Sequence, residues 1–133
     1  MKKIITTLVF LGCLLPLLAF ADTWYVTNTY NGGHNNEIWT QSSGRIPGPV
    51  HYVGSNVTNG GSLDIVMYWT VGKKVFAKTY NKSWDQGQIC YYEGTKTDST
   101  HASGTYMCET QNAKADDMYT WTATIAPDTK TKK

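Results

Sequence analysis

Apolar and polar residues alternate along most of the chain after residue 21. The clearest case is 62–71, where Leu63, Ile65, Met67, Trp69 and Val71 share one face against Ser62, Asp64, Val66, Tyr68 and Thr70. Successive side chains of a β-strand point to opposite faces, so this period of two predicts a strand. The same reading predicts strands over 23–31, 37–41, 50–57, 74–80, 88–97, 101–111 and 118–126. Turn-forming residues recur between them at intervals of about ten, at Asn31-Gly32-Gly33, Asn59-Gly60-Gly61 and Gly72-Lys73. The stretch 42–49 holds Pro47, Pro49 and two glycines, and reads as a connection because proline removes a ladder donor. No stretch of useful length carries the spacing of an amphipathic helix. The class is all-β.

Two cysteines fix a register. Cys90 and Cys108 are equidistant from Ser99, so a hairpin folded there sets them opposite one another, with Tyr92 against Tyr106, Gly94 against Gly104 and Lys96 against Ala102. The polar set Glu93, Thr95, Thr97, His101, Ser103, Thr105 and Glu109 falls on the other face. A one-residue slip would exchange the two faces, which specifies the register and makes a Cys90–Cys108 cross-strand disulfide fit. On the last strand Tyr119, Trp121, Ala123 and Ile125 share a face. Placing Tyr106 opposite Trp121 also brings Cys108 to Tyr119, Gly104 to Ala123 and Ala102 to Ile125. Eight antiparallel strands joined mostly in sequence order remove their edges by closing, so the expectation is an up-and-down barrel with one disulfide.

The segments Tyr92-Glu93-Gly94-Thr95, Ser103-Gly104-Thr105-Tyr106 and Trp121-Thr122-Ala123 resemble the last three strands of small calycin-like barrels, the group that includes avidins and lipocalins. The resemblance implies the eight-strand barrel. It brings no ligand with it, since nothing upstream matches the biotin-contacting positions of avidins.

Lys2 and Lys3 precede an apolar run that ends in Ala19-Phe20-Ala21, the pattern of a bacterial secretory signal peptide with cleavage after Ala21. Thr6, Thr7, Gly12 and Pro16 interrupt the run, so no stable membrane anchor is expected. Cys13, in Phe10-Leu11-Gly12-Cys13, also fits a lipoprotein acylation site, but cleavage there would leave 14–21 as an apolar N-terminus. The expected organisation is a signal peptide over 1–21, one barrel domain over 22–127 and a disordered basic tail over 128–133. The chain carries 12 Lys+Arg against 10 Asp+Glu, and losing Lys2 and Lys3 balances them. A balanced charge argues against nucleic acid, which selects a basic patch. The expected location is periplasmic or secreted, where the disulfide persists.

Candidate chemistry is sparse. The three histidines, His34, His51 and His101, have no metal-ligand spacing. Glu93 and Glu109 lie several residues from His101 along one face, too far for a base and its orienting carboxylate. Asp116-Asp117 with Glu109 has the oxygens for calcium, but adjacent aspartates also suit a solvated loop. Asn56-Val57-Thr58 and Asn81-Lys82-Ser83 match a glycosylation sequon that bacteria normally leave unused. No cofactor and no metal are expected.

Five tryptophans and nine tyrosines dominate instead. Alternation assigns Trp24, Trp69, Tyr92, Tyr106 and Trp121 inward as core. Trp39, Tyr52, Tyr80 and Trp84 fall in short strands or connections and are the expected ligand-binding residues, displayed at the barrel ends. The expectation is a non-enzymatic barrel binding a small molecule or glycan. The alternative is a protein–protein module, such as an inhibitor of a secreted or host hydrolase. A hydrolase using Glu93 or Glu109 with a histidine ranks third.

Overall fold

The structure, a computed structural model, describes residues 22–44, 49–69, 73–82, 87–110 and 117–127, with Trp69 as backbone only. The expected leader with Cys13, the basic tail, Gly72, Ser83, Trp84, Asp116 and the side chain of Trp69 lie outside the described residues.

Eight strands run in order: β1 (Thr23–Tyr30), β2 (Gly33–Gly44), β3 (Val50–Asn56), β4 (Ser62–Trp69), β5 (Lys74–Asn81), β6 (Gln88–Asp98), β7 (His101–Glu109) and β8 (Tyr119–Ala126). Each pairs antiparallel with its sequence neighbours, and β8 returns to β1, with Thr23 opposite Ala126 and Thr29 opposite Thr120. The sheet is a closed up-and-down barrel. Alternation explains which residues fill it. Trp24 and Val26 of β1, Ile65 and Met67 of β4, Val75 of β5 and Trp121 of β8 are all inward and fully buried, while their sequence neighbours Tyr25, Tyr68 and Thr122 are exposed.

The β6–β7 hairpin has the expected register from Ile89–Glu109 to Lys96–Ala102, with Cys90 opposite Cys108 and disulfide-bonded to it. Cys90, Tyr92, Tyr106, Trp121, Ala123 and Ile125 belong to the core cluster, and Cys108 and Tyr119, partly buried, pack against it. Past Lys96 the ladder shifts, so His101 faces Asp98 rather than Thr97.

Two expectations about the ladder are corrected. The β7–β8 register is displaced by two residues: Gly104 faces Trp121, Tyr106 faces Tyr119 and Ala102 faces Ala123. A slip of two keeps the same side chains inward, so alternation alone does not distinguish the registers. Side-chain volume does. Gly94 and Gly104 oppose one another, and the Trp121 indole lies over them, donating Nε1–H to the Thr105 carbonyl at 3.0 Å and the Glu93 carbonyl at 3.3 Å. The second correction is the length of β2, expected over 37–41 but running Gly33–Gly44. A tight turn at Asn31-Gly32, with Gly32 at φ 87°, hands the chain directly to Gly33. Asn35 and Asn36 then pair with Asn28 and Thr27. At the far end a bulge after Gln41 carries Ser43 and Gly44 onto β3 opposite His51 and Val50.

Candidate functional site

The barrel interior changes character along its axis. Around the β2–β3, β4–β5 and β6–β7 connections it is filled by Trp24, Trp39, Val50, Met67, Val75, Ala102 and Ile125. Toward the opposite end, the same inward phase carries Asn28, Glu37, Asn56, Thr79 and Asn81, all buried. Polar side chains of this size do not fill space as the indoles do. A cavity of about 450 Å³ occupies that end, lined by inward residues of all eight strands.

Its buried carboxylate is Glu37, 6% exposed. Position 37 is inward because it lies two residues before Trp39 on β2. Its carboxylate is held at both oxygens: Trp39 donates Nε1–H to Oε1 at 2.9 Å, and Asn28 donates Nδ2–H to Oε2 at 3.0 Å. Burial pushes the Glu37 pKa up, and the two donated hydrogen bonds only partly offset it. Asn28 donates its other amide hydrogen to Asn35 Oδ1 at 2.9 Å, so both of its N–H groups are used. The Tyr92 hydroxyl is close enough to Asn28 and Thr79 for both to act on its pKa. No donor among the described residues reaches Asn28 Oδ1 in ordinary hydrogen-bond geometry.

Tyrosine rings make much of the wall. Tyr92 and Tyr106 stack at 5.2 Å between centroids, and Tyr106 meets Tyr119 at 5.8 Å. Burial, followed by the charge of Glu37, pushes Tyr92 well above the ordinary phenol range and Tyr106 up to about 12. The Cys90–Cys108 bridge stands in the same wall. The β3–β4 loop at the rim is organised by Asn56, whose Oδ1 accepts the Thr58 and Asn59 backbone N–H groups at 3.0 and 3.1 Å. Thr58 and Asn59 also border the cavity.

The four expected ligand-binding residues do not converge. Trp39 and Tyr52, expected at the barrel ends, are instead core, 1% and 2% exposed, each with its ring centroid 6.4 Å from Trp24. For Trp39 the physical reason is the length of β2: once it runs from Gly33, position 39 takes the same inward phase as 35 and 37. Tyr52 is inward because it lies two residues after the buried Val50 on β3. Tyr80 points outward on β5 and is 44% exposed. Trp84 lies outside the described residues. Trp39 still bears on the cavity from below, through its bond to Glu37.

The groups considered for hydrolysis are also apart. Glu109 accepts the Tyr91 hydroxyl on the outer face at 2.9 Å. His101 sits at the β6–β7 turn, its Nδ1 3.0 Å from Asp98 Oδ1, at the end opposite the cavity. There the Thr100 backbone N–H and His101 together hold the Asp98 carboxyl at about 2.

Sequence reasoning missed Asn28, Glu37, Asn56, Thr79 and Asn81, because a polar residue in a strand reads as solvent-facing. The signal was present in phase: Asn28 continues Trp24 and Val26 in steps of two, and Glu37 precedes Trp39 by two. Comparison with protein-family models, with curated proteins and with solved structures gives no match to this chain.

Proposed function

We propose that this chain is a non-enzymatic, secreted or periplasmic binding barrel that takes a small molecule or glycan in the cavity at its open end. The observation that carries the reading is that cavity, about 450 Å³, with tyrosine walls and convergent polar groups from several strands. Ligand pockets are typically concave, a few hundred Å³ in volume, with a few fixed polar groups among aromatic side chains. Glu37, anchored at both oxygens by Trp39 and Asn28, is built as a fixed recognition group rather than a mobile acid or base. The disulfide is compatible with an oxidising compartment. The same reading takes the chain as calycin-like, on the residues of its last three strands and an in-order eight-strand meander.

The test is a thermal-shift screen of metabolites together with a glycan array, run on the wild type and on Gln88→Trp, which places an indole in the cavity wall. Ligands that stabilise the wild type and not the folded variant support the reading. A ligand bound equally by both overturns the cavity as the site. A second reading, recognition of a protein partner such as a hydrolase, is favoured by a groove of about 310 Å³ on the outer face of β4–β7, where Tyr68, Tyr91 and Met118 are exposed. Capture of one purified hydrolase by both proteins, with no small ligand found, would favour it.

A further inference from the structure

Three features of the cavity floor point to the charge and hydrogen-bonding character of the ligand, and the inference rests on the binding reading above. The first is Asn28, 2% exposed, whose Oδ1 has no hydrogen-bond partner among the described residues. Its orientation is fixed: the amide nitrogen donates to the Asn35 carbonyl oxygen and the Glu37 carboxylate, so turning the amide would set an oxygen against two acceptors. A buried carbonyl left unpaired is unfavourable, and only a donor corrects it. The second is Glu37, which presents carboxylate oxygens beside that carbonyl, each with lone-pair capacity beyond the single donor it receives.

The third feature is the charge of the lining. Among the described lining residues there is no Lys, Arg or His. Among the described residues, the ionisable groups that line the cavity with Glu37 are Tyr30 on β1, Tyr92 on β6, Tyr106 on β7 and Tyr119 on β8, and tyrosine is never positive. An anionic ligand would bring a second negative charge to a buried carboxylate, with no cationic side chain among the described lining residues to neutralise either. A cation meets Glu37 and the faces of tyrosine rings, both attractive.

We propose that the cavity binds a small organic cation bearing N–H groups, a primary ammonium or a guanidinium, which donates to the Glu37 carboxylate and to Asn28 Oδ1. A quaternary ammonium satisfies the charge but leaves Asn28 unpaired, so the N–H groups are part of the specificity. Such a ligand also favours the ionised form of Glu37, whose burial otherwise disfavours it.

The experiment is calorimetric titration of the oxidised protein with 2-phenylethylamine and agmatine, against 2-phenylethanol as the neutral isostere, phenylacetate as the anion and tetramethylammonium as the cation without N–H. At least one amine should bind about tenfold or more tightly than the alcohol, the anion and tetramethylammonium. Glu37→Gln should lose about tenfold or more in amine affinity while the alcohol is little changed. Its melting curve reports whether it is folded. Should it fail to fold, the wild-type ranking decides alone, with Thr122→Ala on the exposed outer face of β8 as a control that leaves the cavity lining intact and should keep the ranking. Equal binding of alcohol and amine, or full amine affinity in folded Glu37→Gln, overturns the cation assignment and leaves the binding reading standing. No binding by any amine also overturns it. In that event a neutral or glycan ligand blocked by Gln88→Trp keeps the binding reading, and none at all removes both.

Discussion

Gly104→Ala is the sharpest probe of how the barrel is packed, because propensity and structure give opposite signs. Glycine in a strand interior is unfavourable relative to alanine by about 0.5–1 kcal/mol, so a sequence argument expects stabilisation. In the barrel, a β-carbon at 104 would overlap the Glu93 carbonyl oxygen and stand 2.5 Å from Gly94 Cα, both backbone atoms of the facing strand. Neither can rotate away, so β6 and β7 must part. Parting weakens the flanking ladder bonds and the two Trp121 Nε1–H bonds, whose acceptors sit on the two separating strands. Three or four weakened bonds at about 1 kcal/mol each outweigh the propensity gain, for a net loss of ~3 kcal/mol. In a domain of this size that lowers the melting temperature by roughly 12–24 °C. The control is Gly33→Ala, whose β-carbon would approach only the outer ring atoms of Tyr30, at 3.2–3.3 Å, and should stay within about 0.5 kcal/mol. Urea unfolding followed by tryptophan fluorescence measures both. A Gly104→Ala midpoint equal to that of the wild type would refute the reasoning, as would an equal loss in Gly33→Ala.

Trp121→Ala should cost roughly 3–5 kcal/mol, since it removes a fully buried indole, whereas Thr105→Ala keeps the carbonyl that Trp121 uses and should be near neutral; equal losses in urea titrations would contradict the register. Replacing Cys90 and Cys108 together by serine should cost up to about 3 kcal/mol for a sequence separation of 18, with non-reducing peptide mapping of the wild type showing the bridge. Glu37 gives a pH signature. Its folded pKa is raised, so the folded state holds its proton over a range where the unfolded chain has released it, and stability falls as pH rises from the ordinary carboxylate value of 4.5 toward the folded value. The stability difference between Glu37→Gln and the wild type should therefore shift toward the wild type as pH falls from 7 to about 4.5; a difference independent of pH would remove the buried charge from the account.

The barrel itself was legible because its information is periodic. Leu63, Ile65 and Met67 state a phase that nothing else in the chain contradicts, and the cysteines pin one hairpin to a single register. Periodicity runs out where two answers share a phase. The β7–β8 register differs from the expected one by two residues, and the deciding fact, an indole seated on facing glycines, is a matter of volume across three strands. The cavity was hidden for a different reason. Asn28, Glu37 and Thr79 are polar residues held inward by the phase of their strands, and hydropathy assigns such residues to solvent unless phase is given precedence. Trp39 failed in the converse way, because β2 was drawn too short, and Tyr52, inside a strand drawn at full length, was misplaced because its inward phase with Val50 was not given precedence.

The order of the strands bears on how the chain reaches this shape. Seven of the eight pairings join strands adjacent in sequence, and only the seam between β1 and β8 joins distant ones. Hairpins of neighbouring strands close short loops and need little search, whereas the seam must bring Thr23 against Ala126 across nearly the whole described chain. Ring closure is therefore the entropically demanding step of assembly. The Cys90–Cys108 bridge ties two strands that are already neighbours, so oxidation does not shorten the span the seam has to cross. It secures one wall of the cavity and leaves closure to the β1–β8 ladder, to Trp24 and Trp121 packing beneath it, and to the Tyr106 hydroxyl, which reaches the Thr29 carbonyl at 3.4 Å. A protein built this way responds to reduction by loosening locally at β6–β7, and to damage at Thr23–Thr29 or Thr120–Ala126 by failing to become a barrel at all.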